Sequence, residues 1–439
     1  MQTPSLKKSL FWTVLSLFVL HLCVIGNTQS GRDNYKDILE VDAVGYYSFL
    51  PAFFEYNDPN FTFLDKIENP FISGATSLVR VPTERGNIDR YFIGTSILMA
   101  PFYLAATCFS DPQDGYGKYQ LLSISIAASF YLYAAFFLIG LFLKNQFHLH
   151  QKTLIITIIS FALGTNLFYY SIFEPGMSHI YSFFMVAVFF TCWQKLAVTQ
   201  KYIYFLFAAL ALGLITIIRP VNLLIVLCLP LIWPNVLVHV IQDLFSKKIP
   251  FLVSGIMLFS ATIFIQLLYY KLAIGAWFIY SYKEEGFDFT SPHITDVLFS
   301  YRKGLFVYMP MLFVALAGIY YWSRKQTFLY GRWLISFALI VFVLSSWSSW
   351  AYGGCFGNRA FIEYYMLFII PFALLVEHTT SPKILYAVIA ALILLCQIQT
   401  YQYRYAYIHW DEMNKEKYWK VFLRVDYLIN KKPVHEIYK

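Results

Sequence analysis

The sequence predicts an all-α, polytopic membrane protein of about eleven transmembrane helices with a long first extracytoplasmic loop, and three observations predict it. Charged residues are 13% of the chain, about half the ~25% usual for soluble proteins, while AVILMFWYC supply 59%. Apolar runs of about 20 residues, the length that spans ~30 Å of hydrocarbon, recur along the chain. Lysine and arginine are rich in alternate short loops. Large soluble domains are thereby excluded. The net charge of +8 reads as a topogenic pattern rather than a patch for nucleic acid. Six scattered cysteines (Cys23, Cys108, Cys192, Cys228, Cys355, Cys396) form no CxxC pair and no Cys/His metal spacing, so they leave the redox compartment open.

The expected spans lie near 9–26, 119–143, 153–173, 177–197, 202–218, 221–235, 250–272, 304–322, 333–349, 361–378 and 384–401. The run 91–109 is apolar too, but it carries Gly94 and Pro101, and charge decides its status. With the amino terminus cytoplasmic and this run not crossing, the inner segments hold Lys7, Lys8, Lys144, Lys152, Lys195, Lys201, Lys247, Lys248, Arg324, Lys325, Arg332 and Lys383. These twelve bases face only two acids, Asp243 and Glu377, whereas the first outer loop, 31–118, holds seven Lys/Arg against twelve Asp/Glu. That is the asymmetry of the positive-inside rule. A crossing at 91–109 would invert it, so this run is read as a re-entrant or interface helix packed against protein or water. The first span, behind Lys7 and Lys8, also fits a signal peptide, although Leu22 before Cys23 argues against a lipobox. The expected organisation is a module over 1–303, further spans over 304–402 and a short extracytoplasmic tail over 403–439.

Nearly every conspicuous polar cluster then falls at outer span ends. The stretch RDNYKDILEVDAVGYYSFLPAFFEYND places Glu40, Asp42, Tyr46 and Tyr47 just before an aromatic amphipathic segment. A carboxylate there suits a reaction between a lipid-borne and a water-borne group, and a solvated acidic loop with an interface helix explains the same spacing. FEPGMSH supplies Glu174, Ser178 and His179, the last a substrate contact or a helix-end histidine. IIRPVN supplies Arg219 and Asn222 inside an apolar run, where an ionisable group is a functional candidate by default unless it snorkels to the surface. LFSYRKGLFVYMP puts Arg302 and Lys303 on the outer side, against the charge trend, where they suit a phosphate. SSWSSWAYGGCFGNRAFIEYY combines Gly353, Gly354 and Gly357 with Arg359, so that backbone can approach a ligand beside a fork of donors. Interface anchoring accounts for Trp347 and Trp350 equally well. No P-loop, Rossmann fingerprint, HExxH, GxSxG or EF-hand loop occurs in a credible context.

Taken together, these clusters resemble the membrane glycosyltransferases of the GT-C superfamily, such as protein O-mannosyltransferases and bacterial lipid A aminoarabinose transferases. Asp42 in ILEVDAVGYYSFLPAFF matches the acidic residue early in the first outer loop, with Glu40 next, and GLITIIRPVNLL and WAYGGCFGNRAF look like segments of bacterial members. The resemblance implies a sugar donor on a polyprenyl phosphate, and a glycan, lipid or protein acceptor whose hydroxyl gives its proton to Asp42. It further implies contact with membrane lipids, no nucleic acid partner, and a bacterial plasma membrane location with the site outside. Tyr46, Tyr47, His179, Arg219, Arg302, Lys303 and Arg359 are the substrate-binding candidates. No adjacent Asp-Glu pair follows the family's eukaryotic pattern, which leaves the acceptor and a divalent cation open. The rival reading is a flippase or polymerase for lipid-linked saccharides. Transporters place polar groups near the midplane and carry internal repeats, neither of which the sequence displays.

Overall fold

A computed structural model describes residues 6–109, 114–324 and 328–426. Lys325, Lys431 and Lys432, placed by the sequence in an inner loop and the tail, lie outside the described residues. In chain order the helices are α1 (Leu6–Gln29), α2 (Asp42–Pro51), α3 (Pro70–Val79), α4 (Gly94–Thr107), α5 (Lys118–Phe147), α6 (Gln151–Gly164), α7 (Leu167–Ile172), α8 (Ser178–Thr199) and α9 (Ile203–Ile218). They continue as α10 (Leu229–Ile232), α11 (Pro234–Ser246), α12 (Ile249–Ile274), α13 (Ile294–Phe299), α14 (Leu305–Tyr308), α15 (Pro310–Leu316) and α16 (Ile319–Ser323). The last are α17 (Leu329–Ser345), α18 (Met366–His378), α19 (Pro382–Arg404) and α20 (Lys415–Val421).

The protein is overwhelmingly helical and apolar, as an integral membrane protein must be where backbone polar groups meet lipid. Among the described residues, five helices (α1, α5, α8, α12 and α19) are long and apolar enough to cross a membrane, or six with the bent pair Pro220–Ile232 and Pro234–Ser246. Long helices alone therefore do not reach the expected eleven, and several of the expected spans are broken or short. The span expected at 304–322 is three pieces, α14, α15 and α16, interrupted before Pro310 and at Gly318. The one expected at 153–173 breaks at Thr165, where the backbone is extended. The one expected at 221–235 is a 3₁₀ helix, Pro220–Cys228, leading into α10, after which Pro234 opens α11 at a bend of 110°. At ~2.0 Å per residue the 3₁₀ form covers more depth per residue than an α-helix at ~1.5 Å. The run expected not to cross is α4, whose 14 residues rise only about 21 Å.

Strands enter where the sequence predicted none. β1 (Arg80–Thr83) and β2 (Gly86–Asp89) pair antiparallel, Arg80 opposite Asp89 and Thr83 opposite Gly86. Gly86 takes φ +138, which L side chains avoid, and the Thr83 hydroxyl donates to its carbonyl at 2.7 Å. Four-residue strands in an acidic loop give too little alternation to be read from sequence.

The chain forms two compact units, residues 1–142 with 170–283 and residues 143–169 with 284–439. The segment 284–303, expected within the amino-terminal module, thus groups with the carboxyl-terminal unit. In the first unit α9 packs between α8 and α12. Gly213 permits this, because a Cβ there would lie 2.0 Å from Thr262 Oγ1. At the Tyr202 end of α9 the Tyr202 hydroxyl donates to Asp243 Oδ2 at 2.9 Å and Lys248 stands 5.7 Å from the Tyr202 ring. Both segments are expected to be inner. In the second unit the expected inner segments likewise meet: His150 N–H donates to Glu377 Oε2 at 3.1 Å, and Tyr321 and His378 pack rings at 5.6 Å.

Candidate active site

Asp42 opens α2, and the residue before it is strained. Val41 takes φ 44 and ψ −110, a region that a β-branched side chain occupies at a cost of about 1–3 kcal/mol. Asp42 is half-buried, and its Oδ1 accepts the Tyr91 hydroxyl at 2.7 Å. Tyr91 follows the β2 strand, and its N–H donates to Asp89 Oδ1 at 2.7 Å. Burial, reinforced by the Asp42 carboxylate, holds the Tyr91 phenol well above its ordinary range, so it stays a donor. Asp89 is 1% exposed, its Oδ2 has no hydrogen-bond partner, and burial pushes its carboxyl up to about 8. Gly45 brings hairpin and helix together, since a Cβ there would lie 2.3 Å from the Tyr91 ring.

The second and third polar clusters arrive at the same end of this unit. Gly176 of the FEPGMSH turn sits on α2, where a Cβ would come 2.7 Å from the Ala43 Cβ. Three residues on, His179 Nδ1 lies 3.4 Å from Arg219 Nη1, and Asn222 donates to the Ser182 hydroxyl at 2.8 Å. Arg219 ends α9 in extended backbone and begins the 3₁₀ helix, so Pro220 fixes a change of direction rather than a simple hairpin. Gly94, at the start of α4, packs on the Ile217–Ile218 backbone, where a Cβ would meet atoms at 2.5 Å. Asp42, the 174–179 turn, Arg219 and the hairpin are therefore joined by contacts within one unit.

The two tyrosines after Asp42 are buried. Tyr46 packs against Tyr91 with ring centroids 4.7 Å apart and the planes tilted by 42°. Tyr47 has no exposed surface and donates to the Gly115 carbonyl, which makes it part of the aromatic core rather than a wall of the site. Glu40 is half-buried, and its carbonyl accepts the Ala43 N–H at 3.0 Å.

The cations of the second unit that the sequence places outside have protein partners. Arg302 Nη2 lies 2.7 Å from Asp411 Oδ1, and its guanidinium stands 5.4 Å from the Trp350 ring centroid. Lys303 is 1% exposed, and its ammonium donates to the Cys355 and Trp410 carbonyls. Arg359 is 8% exposed and starts a 3₁₀ helix, Arg359–Tyr364. Of the two cations set beside a phosphate by the sequence, Arg302 is an ion-pair member and Lys303 a buried donor to carbonyls.

Sequence reading missed Asp89 and Tyr91. The only signal was the Glu-Arg-Gly turn before them, which marks a hairpin but says nothing of burial. Among the described residues no group of three or more His, Cys, Asp or Glu side chains is placed to hold a metal ion.

No protein-family model and no curated protein matches the chain. Among solved structures it is similar to the archaeal oligosaccharyltransferase AglB of Archaeoglobus fulgidus in complex with an inhibitory peptide and a dolichol-phosphate, at 13% identity and a TM-score of 0.46. It is similar also to the apo form of the Archaeoglobus fulgidus oligosaccharyltransferase, at 12% identity and a TM-score of 0.43. These alignments cover 98% and 97% of this chain, which spans 59% of the length of each. The functional reading consequently rests on this chain's own residues.

Proposed function

We propose that this protein is a membrane glycosyltransferase that moves a sugar from a polyprenyl-phosphate donor to an acceptor hydroxyl on the non-cytoplasmic side. The observation that carries the reading is the placement of Asp42: a half-buried carboxylate, oriented by the Tyr91 hydroxyl at 2.7 Å, beside a turn that brings in His179 and Arg219. Asp42 takes the proton of the acceptor hydroxyl as that oxygen bonds to the anomeric carbon. The bond from this carbon to the phosphate oxygen breaks, and the lipid phosphate leaves with the electron pair. Arg219, next to His179, is the cation proposed to meet the growing phosphate charge, where preorganised donors lower the barrier. The acceptor is a glycan, lipid or protein hydroxyl, and membrane lipids surround the spans.

Purified protein assayed with a polyprenyl phosphosugar tests the reading. General-base help is worth roughly 10² to 10⁴ in rate, so Asp42→Asn is expected to lower turnover by at least ~100-fold with folding intact. Retention of more than about a tenth of wild-type turnover refutes Asp42 as base, and Glu40 then becomes the candidate. Energy-independent movement of an intact lipid-linked saccharide across vesicles, without transfer, would favour the flippase reading instead.

A further inference from the structure

A carboxylate at the start of a helix has two free torsions, yet a general base must keep one oxygen on the acceptor proton. In this chain one such constraint comes from Tyr91, just past the β hairpin and 49 residues away in sequence. Tyr91 reaches Asp42 Oδ1 with its hydroxyl at 2.7 Å. Tyr91 is itself fixed by its N–H to Asp89 Oδ1 at 2.7 Å, by Tyr46 against one part of its ring and by Tyr282 edge-on at 6.3 Å. Asp89 is tied in turn to α12, because its backbone N–H donates to the Tyr269 hydroxyl at 2.7 Å. The neighbouring Arg90 carbonyl accepts the Ser281 hydroxyl at 2.6 Å. No slack is left at Gly45, where a Cβ would lie 2.3 Å from Tyr91 Cδ2 and 3.0 Å from Asp89 Oδ1.

We infer that Tyr91 is the positioning residue for Asp42 and that Asp89 is the anchor that holds Tyr91 in register, so the hairpin belongs to the catalytic apparatus. This rests on Asp42 acting as the base. The function of Asp89 is then to accept one backbone N–H in a place that water does not reach. Without that acceptor a buried donor is left unsatisfied and the chain at Tyr91 shifts. The Tyr91 phenol suits its task because it remains protonated in its buried setting and so never competes for the proton that Asp42 receives.

The test is steady-state transfer from a polyprenyl phosphosugar by the full chain in detergent, with melting temperature measured on each variant. Tyr91→Phe keeps the ring contacts and removes one hydrogen bond to a charged group. It is expected to lower kcat roughly 10- to 100-fold while the donor KM and the melting temperature stay at wild-type values. Asp89→Leu, which removes the acceptor, lowers kcat in the same way, and Asp89→Asn, which keeps an oxygen in place, restores most of it. Wild-type kcat in Tyr91→Phe, alongside an inactive Asp42→Asn, overturns the positioning role and leaves the base assignment standing. A joint fall of kcat and melting temperature in Tyr91→Phe overturns it as well, since a merely structural tyrosine behaves so. An active Asp42→Asn overturns the base assignment itself, whatever Tyr91→Phe does.

Discussion

Replacing Asp89 by asparagine should make the protein more stable at neutral pH, by an amount that pH controls. Asp89 is 1% exposed, and burial raises its carboxyl from the ordinary 3.8 to about 8. The fold thus prefers the protonated form, while the unfolded chain releases the proton above pH 3.8. Below that value wild type loses nothing. Above it the penalty grows by ~1.4 kcal/mol per pH unit, reaches about 4 kcal/mol at pH 7 and levels off beyond pH 8 at about 6 kcal/mol. Against a typical net stability of about 5–15 kcal/mol this is a large term. Asparagine is neutral throughout and still offers an oxygen to the Tyr91 N–H, so the variant escapes the penalty. Thermal unfolding of wild type and Asp89→Asn in detergent, stepped from pH 4 to pH 9, reads the effect. The two melting temperatures should converge at the acid end and separate steadily towards pH 8, with the variant higher. Other titrating groups cancel in the difference. A separation that stays constant with pH would refute the claim that Asp89 is buried and neutral in the folded protein.

Two further outcomes follow from packing and charge. Gly318→Ala puts a Cβ 1.7 Å from the Pro371 carbonyl oxygen, a backbone atom that cannot rotate away, so chemical unfolding should show a loss of about 1–3 kcal/mol or more; Gly331→Ala, with nothing within 4 Å, is the control, and equal stabilities would refute the tight crossing of α16 and α18. Asn145→Cys in a background without native thiols should resist an impermeant maleimide until cells are permeabilised, because the exposed end of α5 lies in an expected inner loop; labelling of intact cells would reverse the topology and put the Asp42 loop inside.

The parts legible in the sequence were those that local composition determines. α5, α8, α12 and α19 were found because a bilayer requires about 20 apolar residues in a row, a demand that needs no knowledge of neighbours. Asp42 stood out because it precedes an aromatic helix. The broken spans were hidden, since the break at Gly318 has its reason in Pro371, which lies in another helix. Asp89 was hidden for a similar reason: among the described acids of residues 31–118, burial singles it out, and that burial depends on Gly45 of α2 and Tyr269 of α12. The Arg302–Asp411 ion pair was hidden in the same way, because the two residues lie 109 apart in sequence.

These partners bear on which cation is proposed for the donor's phosphate. Sequence alone favoured Arg302, Lys303 and Arg359, because outward cations break the charge trend of the short loops. In the folded chain, Arg302 is matched by the Asp411 carboxylate, and a matched pair presents little net field to an incoming anion. The Lys303 ammonium is 1% exposed and engaged by two carbonyls, so a phosphate would have to displace both and enter a closed space. Arg219 is half-exposed, it lies 3.4 Å from an imidazole, and contacts through Gly94 and Gly176 tie its segment and the His179 turn to the loop that carries Asp42. On the proposed mechanism, proton acceptance and phosphate departure would take place at opposite faces of one anomeric carbon, so the base and the cation proposed to assist them would have to belong to one neighbourhood. Within the amino-terminal unit Gly94 packs on the Ile217–Ile218 backbone and Gly176 on the Ala43 and Leu39 side chains, contacts that substitution of either glycine would disturb.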